Sequence, residues 1–278
     1  MTAAPPGHSP RPVALDVVLN PFRTDAATLV EAAVRAEAEG ADGVWTFDHV
    51  SSLASPTAPG EGAAREVFTV LGAIAARTER VRVGPLVANI HNRHPAQLAL
   101  ALDTLADLAP GRVVCGIGAG AGPGSPFARE DAALGRVPEP AAARRALLAE
   151  HIGALRALGR GEDATGSVAT HGLRGVVRHP TPPIVVGGGA WRTLELAART
   201  ADGVNIVTGL TPGLADTVAR LREITAARPF EISVFVADRF VADRPAGGLA
   251  DLDLEALSAA TPPGVDRLTV LVQSPARR

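Results

Sequence analysis

The sequence predicts an α/β protein built as a single (β/α)8 barrel. Short apolar runs alternate with amphipathic stretches along most of the chain. Eight such runs can be counted, and they are nearly continuous rather than alternating, as expected for a parallel sheet covered on both faces. Right-handed crossovers then allow a closed barrel or an open doubly wound sheet, and eight units favour the barrel. A length of 278 residues suits such a barrel as one domain.

The elements follow in order. Val13–Leu19 reads as the first strand, and Asp25–Glu39 as a helix capped by Thr24 or Asp25 and ended by Gly40. Gly43–Phe47 is the second strand and Ala63–Thr78 the second helix. Val81–Ala88 is the third strand, followed by a helix over Pro95–Leu108 with proline in its first turn. Arg112–Ile117 is the fourth strand. A Gly/Pro-rich loop over 118–140 leads to a helix over Ala141–Leu158. The polar segment Gly159–Thr181 reads as an excursion over one end of the barrel. Strands at Ile184–Val186, Val204–Val207, Glu231–Ala237 and Leu268–Val272 complete the set, with helices near 192–200 and 212–227. The chain stops at Arg278, six residues after the last strand, so a full eighth helix is expected to be missing or displaced. Residues 1–12 read as a flexible leader and 13–278 as one domain.

Composition excludes several classes. A net charge of −2 gives no field that would draw the protein to nucleic acid or an anionic membrane. No apolar run reaches the length of a membrane span, and the N-terminus lacks the pattern of a signal peptide. Cys115 is the only cysteine, so no internal disulfide forms, which fits a cytoplasmic location. All 27 basic residues are arginine, so neither a Schiff-base lysine nor a lysine phosphate anchor is present.

In a barrel the chemistry sits at the C-terminal ends of the strands. There the sequence places Asp48-His49, Asn89 to His94, the glycines of Gly116-Ile117-Gly118-Ala119-Gly120, and Gly187-Gly188-Gly189. Asp48 and His49 are the acid/base candidates, because imidazole titrates near neutrality. The same dipeptide also reads as a capping aspartate beside a surface histidine. The two glycine runs could let backbone amides approach phosphate, the second at a helix start. Close backbone packing at strand ends explains them as well. His91, Arg93 and His94 lack metal-ligand spacing, so no metal site is expected, and Arg93 and His94 read as fixing the third helix. Trp191 reads as a stacking ring or as a buried one, and Cys115 as an inert core thiol.

Several stretches together resemble the luciferase-like flavin and deazaflavin oxidoreductases, a TIM-barrel family. They are GADGVWTFDH (40–49), VRVGPLVANIHNRHPAQLALALDTLADLAPGRVVCGIGAG (81–120), PPIVVGGGAWRTLELAARTADGV (182–204) and GVDRLTVLV (264–272). The resemblance implies a barrel with loop insertions and a cofactor at its C-terminal mouth. It implies a bulge with a non-prolyl cis peptide at Leu86–Val87 against the cofactor ring, and Asn89 beside the ring. It also implies that Gly187, Gly188 and Gly189 give amides to the cofactor phosphate, with Gly118 and Gly120 at the site. His49 matches the histidine at the reacting centre, and Asp48 is its neighbour. One departure stands out. Sugar-phosphate and alcohol dehydrogenases of the family carry a glutamate directly after the fourth-strand glycines, where this chain has Ala121.

Three functions follow as expectations. The first is hydride transfer with the deazaflavin coenzyme F420 to or from a small organic substrate. The second is monooxygenation with reduced FMN, and the third a non-catalytic flavin-binding barrel. The expected partners are a small-molecule substrate and a second copy of the chain as a homodimer, with no nucleic acid and no membrane.

Overall fold

The computed structural model describes residues 13–51, 62–208, 211–236, 249 and 252–272. The expected leader and the segment after Val272, where an eighth helix would fall, lie outside the described residues. The order is β1 (Ala14–Leu19), α1 (Ala26–Ala38), β2 (Gly43–Thr46), α2 (Val67–Arg77), β3 (Arg82–Pro85), β4 (Ala88–Asn89), α3 (Pro95–Leu108) and β5 (Cys115–Gly118). There follow α4 (Ala128–Ala133), α5 (Ala141–Gly159), β6 (Ile184–Gly188), α6 (Trp191–Thr200), β7 (Gly203–Val207), α7 (Leu214–Ile224), β8 (Glu231–Val236), α8 (Leu254–Ala259) and β9 (Arg267–Val272).

All strand pairs are parallel, in the order β3-β2-β1-β9-β8-β7-β6-β5-β4. The ends of that series meet. Val83 N–H donates to Arg112 O at 2.9 Å, and Val114 N–H to Val83 O at 3.0 Å. β3 and β4 are two parts of one stave, interrupted at Leu86–Val87, where the peptide is cis as the family resemblance implied. The result is the expected eight-staved TIM barrel. Among the described residues no helix is long and apolar enough to cross a membrane.

Local chemistry accounts for the helix boundaries. Asp25 caps α1 by accepting from Thr28 N–H at 2.7 Å. Gly40, at φ 89°, ends it, with Gly40 N–H on Glu37 O and Ala41 N–H on Ala36 O, a Schellman closure. His94 and Gln97 form a capping box at α3, with Pro95 in its first turn.

Five readings change. Arg112 is not in a strand; its guanidinium donates to Ala75 O, Thr78 O and Val81 O at 2.9–3.0 Å and fastens the end of α2. The loop over 118–140 contains α4, and α8 lies in a stretch read without a helix. Gly187 and Gly188 belong to β6, paired with Asn205 and Ile206, so the strand outruns Val186. The 159–181 segment runs along α3 and α5 rather than over a barrel end. Asp103 of α3 accepts from Arg178 N–H and His179 N–H, both at 2.8 Å, and Thr181 Oγ1 donates to Leu155 O.

Inside the barrel the side chains stack in layers. The lowest holds Asp16, Arg82, Glu231 and Arg267. Arg267 donates to Asp16 at 2.8 Å and to Glu231 at 3.0 Å, and Arg82 donates to Glu231 at 2.5 Å. Above it Trp45 packs with Val18, Leu86, Val114 and Val185, its Nε1–H donating to Asp16 at 3.0 Å. A Cβ at Gly84 would lie 3.0 Å from the indole and 2.2 Å from Val114 O, so glycine there is required by packing. Phe47, Val87, Phe235 and Leu271 form the top of this interior cluster and remain partly open.

Burial pushes the Asp16 carboxyl up, against the opposing pull of Arg267, Arg82 and the Trp45 N–H. Arg267 is the cation shared by both acids. Arg267→Met should cost about 3–5 kcal/mol by stranding the buried Asp16 carboxyl, while Glu231 keeps Arg82. Urea unfolding measures it, and a loss under about 1 kcal/mol would show that the layer does not depend on this pairing.

Candidate active site

The C-terminal end of the barrel gathers His49 after β2, Asn89 in β4, Gly118 and Gly120 at the end of β5, and Gly187 to Gly189 at the end of β6. The residues picked out from the sequence therefore share one rim, as parallel topology requires.

The β3–β4 interruption fixes one side of this rim. Val87 stands against both neighbouring glycine strands. A Cβ at Gly118 would come within 2.4 Å of its Cγ2, and one at Gly187 within 2.6 Å of its Cγ1. Gly120, at φ 70°, leaves room for His91 and for the Asn89 side chain, whose Oδ1 accepts from His91 N–H at 3.0 Å. Gly188 differs. A Cβ there would meet only Thr193, at 3.5 Å, an ordinary contact, so protein packing leaves its α-carbon face free. α6 begins just beyond, and no side chain caps its N-terminus.

Asp48 is buried and turns toward this interruption rather than toward the imidazole. Its carboxylate accepts from Asn89 N–H at 2.9 Å and from the Arg93 guanidinium. Arg93 also donates to Glu66, the N-cap of α2, at 3.1 Å, and lies over the Phe68 ring. Asp48 thus ties β2 to the start of α3 and holds the backbone at Asn89. Arg93 and His94 fix α3 as the sequence suggested. Among the described residues no cluster could hold a metal.

The acid partner of His49 is Glu130, not Asp48. His49 Nδ1 lies 2.8 Å from Glu130 Oε2. Glu130 Oε1 accepts from Ser51 N–H at 2.9 Å and from Val50 N–H. The carboxylate therefore receives the ring and the backbone following it. Burial would raise the Glu130 pKa, but the bonds from His49, Ser51 and Val50 outweigh it and hold the carboxyl below the usual range. In the neutral ring, an ionised acceptor at Nδ1 selects the tautomer with its proton there and leaves Nε2 as the acceptor edge. Phe127 stacks on the imidazole with centroids 5.6 Å apart and an interplanar angle of 20°.

Glu130 was not found from the sequence. Its helix spans only Ala128–Ala133 between Gly/Pro-rich stretches. The signal was present, since Ala-Arg-Glu-Asp-Ala-Ala follows Pro126 with acids in its first turn. Arg136 seats this helix, donating to His91 O at 2.7 Å and Asn92 Oδ1 at 2.9 Å and pairing with Asp131. Arg144 donates to Gly120 O at 2.5 Å and steadies the glycine loop. Trp191 is half-buried under Arg220, whose guanidinium carbon lies 3.7 Å from the ring centroid. Cys115 is buried, and burial pushes its thiol up to about 12, so it is inert.

The closed barrel, the interrupted third stave and the histidine at the mouth are the features that the resemblance implied. The chain belongs to the luciferase-like monooxygenase family, whose profile it matches over residues 3–246. It is 31% identical over 191 residues to the F420-dependent glucose-6-phosphate dehydrogenase of Nakamurella multipartita, covering 67% of this chain and 53% of that protein. It is 28% identical over 174 residues to the 5,10-methylenetetrahydromethanopterin reductase of Methanolobus tindarius, covering 62% and 47%. The chain thus spans about half the length of these curated relatives. Among solved structures, an F420-dependent secondary alcohol dehydrogenase in complex with an F420-acetone adduct superposes with a TM-score of 0.65 at 19% identity, covering 81% of this chain and 69% of that one. The monooxygenase RslO1 of Streptomyces bottropensis gives 0.60 at 24%, covering 79% and 70%. Both likenesses are of fold.

Glu130→Gln should lower stability by about 1–3 kcal/mol at neutral pH, because two backbone N–H groups and the imidazole lose an ionised acceptor. The sign with pH is set by the depressed pKa. The wild-type advantage is full above the ordinary carboxylate range and is lost as pH falls through the folded-state value. Denaturant unfolding at several pH values checks this, and a pH-independent difference would contradict the ionised pairing.

Proposed function

We propose that the protein is a deazaflavin-dependent oxidoreductase that uses coenzyme F420 to move a hydride to or from a small organic substrate. The observation that carries this reading is the position of His49. Held by Glu130, it stands on the same rim as the glycine cradle and the β3–β4 interruption. The F420-dependent names of the matched relatives support the choice of coenzyme.

The residues present fit such a group. The free α-carbon face of Gly188 and the uncapped start of α6 offer backbone amides to a phosphate-bearing tail, with Gly187 and Gly189 flanking it. Leu86, Val87 and Asn89 would line the ring, with Gly118 and Gly120 keeping that space clear. The coenzyme would supply a two-electron hydride carrier. The chain supplies the proton chemistry. With Nδ1 engaged by Glu130, Nε2 of His49 takes the proton from a substrate hydroxyl in oxidation and returns it to a carbonyl oxygen in reduction. Asp48 acts at one remove by fixing Asn89. A non-catalytic barrel would have no use for a carboxylate–imidazole pair held at the mouth.

Reduced-FMN monooxygenation is the second reading, favoured by the description of the matched family. Equilibrium titration with each cofactor decides between them, with coenzyme F420 expected to bind more tightly than FMN. Gly188→Val should weaken that binding by blocking amide approach; unchanged affinity would remove the phosphate assignment. His49→Ala should slow single-turnover reaction of bound coenzyme with an accepted substrate by roughly 10²–10⁴ while cofactor affinity stays the same. A wild-type rate in that variant would remove His49 from the chemistry.

A further inference from the structure

The mouth of the barrel has two unlike sides. Around β4, β5 and β6 it is lined by glycine and Val87. Around β8, β9, β1 and β2 it is aromatic and aliphatic. Phe235 and Leu271 come from β8 and β9, Phe22 from the turn after β1, and Phe47 from the end of β2. Phe127 arrives from the start of α4. Of the seven phenylalanines in the chain, four therefore meet at this point.

Three of these rings border His49 and the fourth, Phe235, packs on Phe47. Centroid distances to the imidazole are 5.5 Å for Phe22, 6.1 Å for Phe47 and 5.6 Å for Phe127. Phe47 in turn lies 6.4 Å from Phe22 and 6.3 Å from Phe235. None of the four is fully buried, and Phe127 is 40% exposed. A hydrophobic wall left partly open beside a held histidine is an unfilled apolar surface rather than a finished core.

Polar recognition is sparse on this wall. Asn20 Oδ1 accepts from Phe22 N–H at 3.0 Å. Arg65 donates to Thr24 O, Arg93 pairs with Asp48 and Glu66, and Arg136 pairs with Asp131. Arg23, in the turn after β1, and Arg129, in α4, are exposed. Among the described residues, no buried unpaired cation stands beside the phenylalanines to replace the water around a phosphate. The described residues would give a sugar phosphate no buried cation in exchange for its lost hydration there.

We propose that this room takes an uncharged apolar alcohol or carbonyl compound, its hydrocarbon or aromatic body seated among Phe22, Phe47, Phe127 and Phe235 and its oxygen at His49. The inference rests on the oxidoreductase reading above and sets this site apart from one built for glucose 6-phosphate.

Calorimetric titration of the coenzyme-loaded protein with benzyl alcohol, cyclohexanol and glucose 6-phosphate tests it. The two apolar alcohols should bind at least tenfold more tightly than the sugar phosphate. Phe47→Ala and Phe235→Ala should each weaken them about tenfold, since each removes a large apolar contact. Coenzyme affinity should stay within about twofold in both variants, and Phe47→Leu, which keeps an apolar side chain while removing the ring, serves if the alanine variant fails to fold. Glucose 6-phosphate binding as tightly as the alcohols would overturn the proposal, as would alcohol affinities indifferent to these substitutions. If neither F420 nor FMN binds, the oxidoreductase reading fails separately. The same alcohol titrations on the protein without cofactor, with the same variants, then decide the aromatic site.

Discussion

A carboxylate sealed inside a barrel has to be paired, and the pairing of Asp16 organises what lies above it. Asp16 meets Arg267 and the indole N–H of Trp45, Arg267 meets Glu231, and Glu231 meets Arg82. Two acids and two arginines balance inside the lower end, and four strands contribute one group each. Register is fixed by this arrangement, because a one-residue slip would turn each charge out of the interior. Trp45 then stands upright on Asp16, in space that Gly84 and Gly116 leave open. With the lower end closed by charge and the middle filled by indole, the interior side chains left partly open are those at the C-terminal mouth.

At the mouth, position is handed from strand to strand. Val87 lies in contact with both Gly118 and Gly187, so the third stave is located by its neighbours on the far side of the barrel seam. Asp48 holds Asn89 from the β2 side. The interruption between β3 and β4 is consequently gripped from both flanks, and the residues after it inherit that placement. Sequence proximity made Asp48 look like the companion of His49. Strand geometry sends the two side chains apart instead, because adjacent residues leaving a strand point to opposite sides.

What was legible in the sequence and what was not divide along the same line. Helix ends with local chemistry, such as Asp25, Gly40 and the His94–Gln97 box, could be read because the signal and its effect lie within a few residues. The Leu86–Val87 interruption and the rim glycines were legible through resemblance to a family. The charged layer was not, since its members lie up to 251 positions apart and each alone looks like an ordinary strand-end residue. Glu130 escaped for a related reason. Its partner is 81 positions earlier, and its own helix is six residues long, too short for periodicity to announce.

The resemblance sets an acid directly after the fourth-strand glycines, where this chain has Ala121. Ala121 and the glycines around it leave that corner without an acid, and α4 brings Glu130 to His49. The detour has a physical consequence. A glutamate fixed to a strand end would place only its own carboxylate, whereas α4 brings Phe127 in the same turn and lays its ring over the imidazole that Glu130 holds. Arg136 and Arg144 anchor the two ends of this excursion to the backbone of the neighbouring loops. One short helix thus holds both the carboxylate at His49 Nδ1 and the apolar ring beside the imidazole.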